Sequence, residues 1–277
     1  MKIIKGKTFA DVYREVLYEL HHFPKYVTNP RSMKIKEIIN LIIEIEDPTS
    51  NMFINPIRKT PQRYLAGEMY WYFQGREDVE FISKYSKFWK KLTNPDGVTV
   101  NSAYGNLLFR DLNEYNITEW QWALKSLIED KDTRQAIIRF NKPKHSFVGN
   151  KDFVCTLNGI FNIRNDKLIF TVIMRSQDEI LGRTFDIPFF TLLQQQMRNH
   201  LLPYYPDLKL GSFIHHNVSS HIYEKDFELV EDMLRNQWKS AGLPKLRENL
   251  INPDGSFNDN FWKSDDELIT WIRENMK

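Results

Sequence analysis

The 277-residue sequence contains one cysteine, Cys155. A single thiol excludes an internal disulfide framework and fits a reducing compartment. Blocks of like charge are also missing: 38 basic residues are interspersed with 36 acidic ones, for a net charge of +2. Electrostatics therefore give no case for binding polymeric nucleic acid, and any anion site has to be local, a few arginines around one phosphate. No apolar run approaches the ~20 residues of a membrane span. The start, MKIIKGKTFADVY, lacks an apolar stretch with a small-residue cleavage site, so a cytoplasmic protein without a membrane partner is expected. There is no internal repeat, low-complexity segment or obvious linker. Hydrophobic residues make up 42% and aromatics 14%, enough for a sizeable core. One α+β domain over residues 1–277 is the economical reading.

Apolar spacing predicts a helix over 8–22 with Thr8 as its N-cap. The β-branched stretch 34–46 reads as a strand, with helix as an alternative. Helices are expected over 61–75, 77–91 and 117–129, and a strand over 135–140. Strands over 153–163 and 167–175 are joined by the turn Arg164-Asn165-Asp166. A helix over 186–202 takes Asp186 as N-cap and Pro188 in its first turn. Phe213–His216 and His221–Tyr223 fall in a last strand region, and a helix over 224–237 follows.

Candidate chemistry concentrates between Asp152 and Asp186. Cys155 is either a small buried hydrophobe or a nucleophile, which needs nearby positive charge to hold a thiolate. Arg134 and Arg175 are the candidate sources, although spacing does not show their proximity. Arg175-Ser176 offers a forked guanidinium and a hydroxyl, suited to phosphate or to a surface ion pair. Glu68, in an aromatic-rich helix, is either solvated or a carboxyl with a raised pKa. His221 and Tyr223 share one strand face, because side chains alternate.

Taken together these residues resemble the thymidylate synthase family. The marks are Glu68-Met69-Tyr70-Trp71 with Gly75, Tyr104-Gly105, Asp132-Thr133-Arg134, Cys155, Arg175-Ser176-Gln177-Asp178, Leu181-Gly182 with Phe185-Asp186-Ile187, and His221-Ile222-Tyr223. Order and spacing match from about residue 8 to residue 235, and residues 236–277 match weakly. The resemblance implies a mixed β-sheet flanked by helices, dimerising through the sheet face. It implies that Cys155 adds to C6 of a pyrimidine nucleoside monophosphate, so that C5 attacks the methylene of 5,10-methylenetetrahydrofolate, with no metal. Arg175 and Ser176 resemble the phosphate grip, with Arg31 in a loop closing over it. Arg134 resembles an arginine that reaches the neighbouring subunit's active site. His221 and Tyr223 resemble ligands of the sugar 3′-hydroxyl, and Glu68 a carboxyl that manages protons and water near the base. Asp178, Trp89 and Gly182 match the folate side.

The departures concern the base and the fate of the methylene. Synthases have asparagine where this chain has Asp186, which resembles the deoxycytidylate hydroxymethylases of phages; a viral source would place the protein in the host cytoplasm. An amide suits the edge of uracil. A carboxyl that shares a proton suits cytosine, which presents an amine and an unprotonated N3. Asp186 is thus either a base selector or the helix cap. Thr156 stands where the synthases have histidine, Gln135 replaces an arginine, Ser219-Ser220 replaces a Gly-Asp-Thr context, and WIRENMK does not resemble the synthases' closing tail. The leading expectation is a deoxycytidylate 5-hydroxymethyltransferase, in which water rather than hydride meets the exocyclic methylene. Thymidylate synthesis from dUMP, hydroxymethylation of CMP, methylation of a cytosine nucleotide and a non-catalytic nucleotide- or RNA-binding relative are the alternatives.

Overall fold

The isoleucine-rich segment after Met33 settles as strand: Ile35–Ile45 pairs antiparallel with the long strand Lys209–Tyr223, Ile35 opposite Tyr223 and Ile45 opposite Phe213. β-Branched side chains suit a pleated surface better than a helix. Buried residues change phase between Ile38 and Leu41, where Asn40 adopts φ +56°. Asparagine tolerates this left-handed conformation, and its side-chain oxygen lies 3.1 Å from His216 Nε2 on the facing strand.

The computed structural model describes residues 1–277. The chain is divided between two compact units, each assembled from three segments. The first comprises residues 1–60, 167–194 and 209–243, the second residues 61–166, 195–208 and 244–277.

In the first unit Lys2–Gly6 runs parallel to Ile35–Ile45, and Lys167–Met174 runs parallel to Lys209–Tyr223 on its other side. With the central antiparallel pair this makes a mixed sheet. Gln177–Asp178 adds a short parallel ladder against Ser220 and His221. Helix Phe9–His22 packs on Ile35–Ile45 and on helix Phe227–Arg235. Thr8 is its N-cap, in a reciprocal capping box with Asp11.

In the second unit helices Gln62–Phe73, Tyr104–Phe109 and Glu119–Glu129 gather around a core rich in Trp71, Phe73, Phe109 and Trp120. A Cβ at Gly105 would stand 1.6 Å from the Tyr72 carbonyl oxygen, so only glycine allows that approach. Strand Thr156–Arg164 pairs antiparallel with Ile137–Arg139. It ends in a two-residue turn whose members, Asn165 and Asp166, have φ of +50° and +54°, as a tight primed turn requires. Glu267–Asn275, in the weakly matched tail, packs on Gln62–Phe73.

Three expectations need correction. The helix over 77–91 is broken into one turn at Val79–Ile82 and a 3-10 segment at Lys87–Lys91. The strand carrying Cys155 begins at Thr156 rather than 153. The helix bearing Asp186 begins three residues early, at Arg183, and runs to Leu201 with Pro188 inside it. Asp186 N already donates to Gly182 O at 3.0 Å, so Asp186 lies within the first turn and is not the cap.

Candidate active site

In the first unit, chemistry gathers where the chain leaves Lys167–Met174. Arg175 and Ser176 follow that strand, both half-buried, and the Arg175 carbonyl accepts from Ser219 N at 3.2 Å. Asp178 Oδ1 accepts from Ile180 N at 2.8 Å and Leu181 N at 3.0 Å, closing the turn that leads into the helix. Its other oxygen takes no part in that turn.

Asp186 Oδ2 accepts from Gln177 Nε2 at 3.0 Å. Burial pushes the Asp186 carboxyl up to about 7; the Gln177 hydrogen bond and the Arg183 charge oppose the rise without cancelling it. The group therefore gains and loses a proton near neutrality. His221 and Tyr223 come together on the same face of their strand, rings 5.1 Å apart and edge to face. Arg31 is exposed, and with Ser32 it occupies the left-handed region at φ +52° and +62°.

Behind these residues lies a buried ionic network that sequence reading did not identify. Arg183, fully buried, pairs with both oxygens of Glu179, donates to Asn217 Oδ1 at 2.5 Å and reaches His215 Nδ1 at 3.3 Å. Burial and the guanidinium hold His215 well below its usual pKa, which leaves a neutral ring able to accept. Ser220 Oγ donates to Glu179 Oε1 at 2.5 Å, and Tyr13 donates to the Glu179 carbonyl at 2.7 Å. The turn carrying Asp178 is thereby fastened to the strand carrying His221. The four-residue spacing of Glu179 and Arg183 is the only sequence signal of this pair, and it suggests a surface bridge as readily as a buried one.

In the second unit Glu68 is buried on helix Gln62–Phe73 and accepts from Tyr64 at 2.5 Å and Tyr72 at 3.4 Å. Tyr64 in turn accepts from Trp89 Nε1 at 3.0 Å. The Tyr72 ring stacks on Tyr104, centroids 5.3 Å apart, and the Tyr104 hydroxyl accepts from Thr156 Oγ1 at 2.8 Å. Cys155 immediately precedes Thr156, half-buried, with Sγ 4.0 Å from the Phe153 carbonyl oxygen. The segment before it is pinned by Asp152, whose two oxygens accept from Ser102 N at 2.6 Å and Ser102 Oγ at 2.5 Å. One continuous set of contacts thus runs from Trp89 through Glu68 to the neighbour of Cys155. The Thr156 departure is explained locally: its hydroxyl serves Tyr104. Arg134 is exposed, ahead of strand Ile137–Arg139.

A family model described as thymidylate synthase matches residues 8–266, and the chain belongs to the thymidylate synthase family. It is 30% identical over 246 residues to the deoxyuridylate hydroxymethyltransferase of Bacillus phage SP01, covering 82% of this chain and 62% of that protein. It is 27% identical over 223 residues to the deoxycytidylate 5-hydroxymethyltransferase of Enterobacteria phage T6, covering 78% and 85%. A thymidylate synthase of Haloferax volcanii is 24% identical over 207 residues, covering 68% and 57%. The chain therefore spans less than two thirds of the SP01 and Haloferax proteins. No helix is long and apolar enough to cross a membrane.

Proposed function

We propose that the chain is a one-carbon transferase that hydroxymethylates dCMP at C5, with 5,10-methylenetetrahydrofolate as co-substrate. The observation that carries the choice of base is Asp186, half-buried, hydrogen-bonded to Gln177 and with a carboxyl pushed up to about 7. Such a group accepts from the exocyclic amine of cytosine and, when protonated, donates to N3. A site built for one hydrogen-bond pattern rejects the other because mismatched buried groups stay unpaired.

In this reading the Cys155 thiolate adds to C6. The resulting electron density at C5 attacks the folate methylene, and loss of the C5 proton with expulsion of tetrahydrofolate leaves an exocyclic methylene. Water adds there, the S–C6 bond breaks, and thiolate and 5-hydroxymethyl-dCMP are released; no hydride moves and nothing is oxidised. Glu68, held by Tyr64 and Tyr72, is the carboxyl assigned to the protons and water of these steps. Arg175, Ser176 and Arg31 hold the phosphate, and His221 and Tyr223 the sugar 3′-hydroxyl. Asp178, with one oxygen committed to its turn, offers the other to the pterin, and Gly182 and Trp89 are assigned to folate as well. A homodimer formed through the sheet face, with Arg134 serving the partner's phosphate, completes the proposal.

The test is incubation with dCMP, dUMP or CMP and methylenetetrahydrofolate. Product mass separates hydroxymethyl from methyl, and dihydrofolate absorbance reports hydride transfer. Conversion of dUMP to dTMP with no cytidylate turnover refutes the reading. Identity to the SP01 enzyme favours a second reading, hydroxymethylation of dUMP. A hydroxymethylated product from dUMP alone selects it.

A further inference from the structure

The Gln177 amide is held so that only one of its two orientations fits. Gln177 is buried at 1% exposure, and its backbone is laddered to Ser220. Its Nε2 donates twice, to the Asp178 carbonyl oxygen at 3.1 Å and to Asp186 Oδ2 at 3.0 Å. Turning the amide over would set its oxygen against the Asp178 carbonyl, which can only accept. The backbone therefore dictates that an N–H faces Asp186 Oδ2.

That N–H makes the two oxygens of Asp186 unequal. The oxygen that accepts a strong hydrogen bond carries the higher electron density and is the carbonyl oxygen of the protonated acid, so the proton is driven to Oδ1. Gly182 makes the arrangement sterically possible: a Cβ there would stand 2.5 Å from Gln177 Nε2 and 3.3 Å from Asp186 Oδ2. This gives Gly182 a role in seating the amide that does not require contact with folate.

We infer that Gln177 is a specificity-determining positioning residue: by fixing Oδ2 of Asp186 as an acceptor it leaves Oδ1 to carry the proton offered to N3 of a cytosine nucleotide. The inference rests on the proposed reading of Asp186 as the base selector. Gln177 touches no reacting atom in this scheme. It acts through the orientation of its neighbour and the site of its proton.

The experiment compares kcat/KM for dCMP and dUMP, and calorimetric Kd values for both nucleotides, across wild type, Gln177→Leu, Gln177→Met, Gly182→Ala and Asp186→Asn. Gln177→Met retains a long flexible side chain and serves if the leucine variant does not fold. The expected result for either Gln177 variant is a fall of at least about tenfold in the dCMP-to-dUMP ratio, seen in nucleotide KM and Kd, with the KM for folate little changed. Gly182→Ala shifts the ratio the same way, since it displaces the amide. A merely structural Gln177 would lower both nucleotides and folate together and leave the ratio unchanged, which overturns the inference. Asp186→Asn separates the two levels. If it leaves the ratio where it was, the base-selector reading fails and takes this inference with it. If it moves the ratio while the Gln177 variants do not, only the role of Gln177 fails.

Discussion

Tyr64 and Glu68 sit one helical turn apart and share a hydrogen bond of 2.5 Å, with the Tyr64 oxygen also accepting from Trp89 Nε1. One phenol thus satisfies a buried carboxylate and a buried indole. Tyr64→Phe removes both bonds without changing shape, and leaves Glu68 the long 3.4 Å contact with Tyr72 among its named partners. A buried donor that loses its partner costs about 1–3 kcal/mol. Glu68 keeps Tyr72, so the expected loss in urea unfolding is about 1–3 kcal/mol, set by the Trp89 N–H, with kcat affected more than nucleotide KM if Glu68 manages protons. A variant as stable as wild type would show that water takes over both bonds.

Cys155→Ser is expected to lower product formation by at least about a thousandfold, since a hydroxyl is far less readily ionised than a thiol and does not add to C6 at neutral pH. Stability should hardly change, because Cys155 is half-buried and its hydrogen bond to Phe153 O is long at 4.0 Å. Thermal melting and product mass on the same preparation check both parts. Substantial turnover in the serine variant would remove Cys155 from the proposed chemistry.

Much of this was legible from residue order. The hairpin signal Asn165-Asp166 became a turn with both φ positive, and Thr8 became a reciprocal cap, because both depend on chemistry within a few residues. The His221 and Tyr223 pairing followed from strand alternation. Asp186 misled as a cap because Asp followed two residues later by Pro is a helix-start signature, whereas the Asp178 turn and Gly182 start the helix a turn earlier. The Glu179–Arg183 network was invisible for a different reason. Its partners Asn217, Ser220 and His215 lie on a strand more than 30 residues away, and burial of an ion pair is a tertiary fact.

That network yields a stability prediction independent of function. Arg183→Met leaves Glu179 buried without its cation, which costs on the order of 3–5 kcal/mol. Adding Glu179→Gln removes the stranded charge and should recover part of the loss while Ser220 still has an oxygen to donate to. Urea unfolding of the single and double variants measures this coupling. Equal destabilisation in both would mean that the charge on Glu179 is not what the guanidinium neutralises.

Asp186 gives the pH prediction. In the folded chain its carboxyl holds a proton up to about 7, mainly because burial penalises the anion. In the unfolded chain it ionises near 4. Between those values the folded state binds more protons, so stability falls as pH rises. The contribution is full below about 4, is lost progressively up to about 7 and stays lost above it, amounting to a few kcal/mol. Asp186→Asn remains neutral throughout and can still accept from Gln177 Nε2. The variant should therefore gain on wild type as pH rises through this window, with the difference in Tm small near pH 4, growing to pH 7 and level beyond. A difference in Tm that is constant from pH 4 to pH 8 would mean that the carboxyl is ionised throughout. The proton that the cytosine reading assigns to it would then have to come from elsewhere.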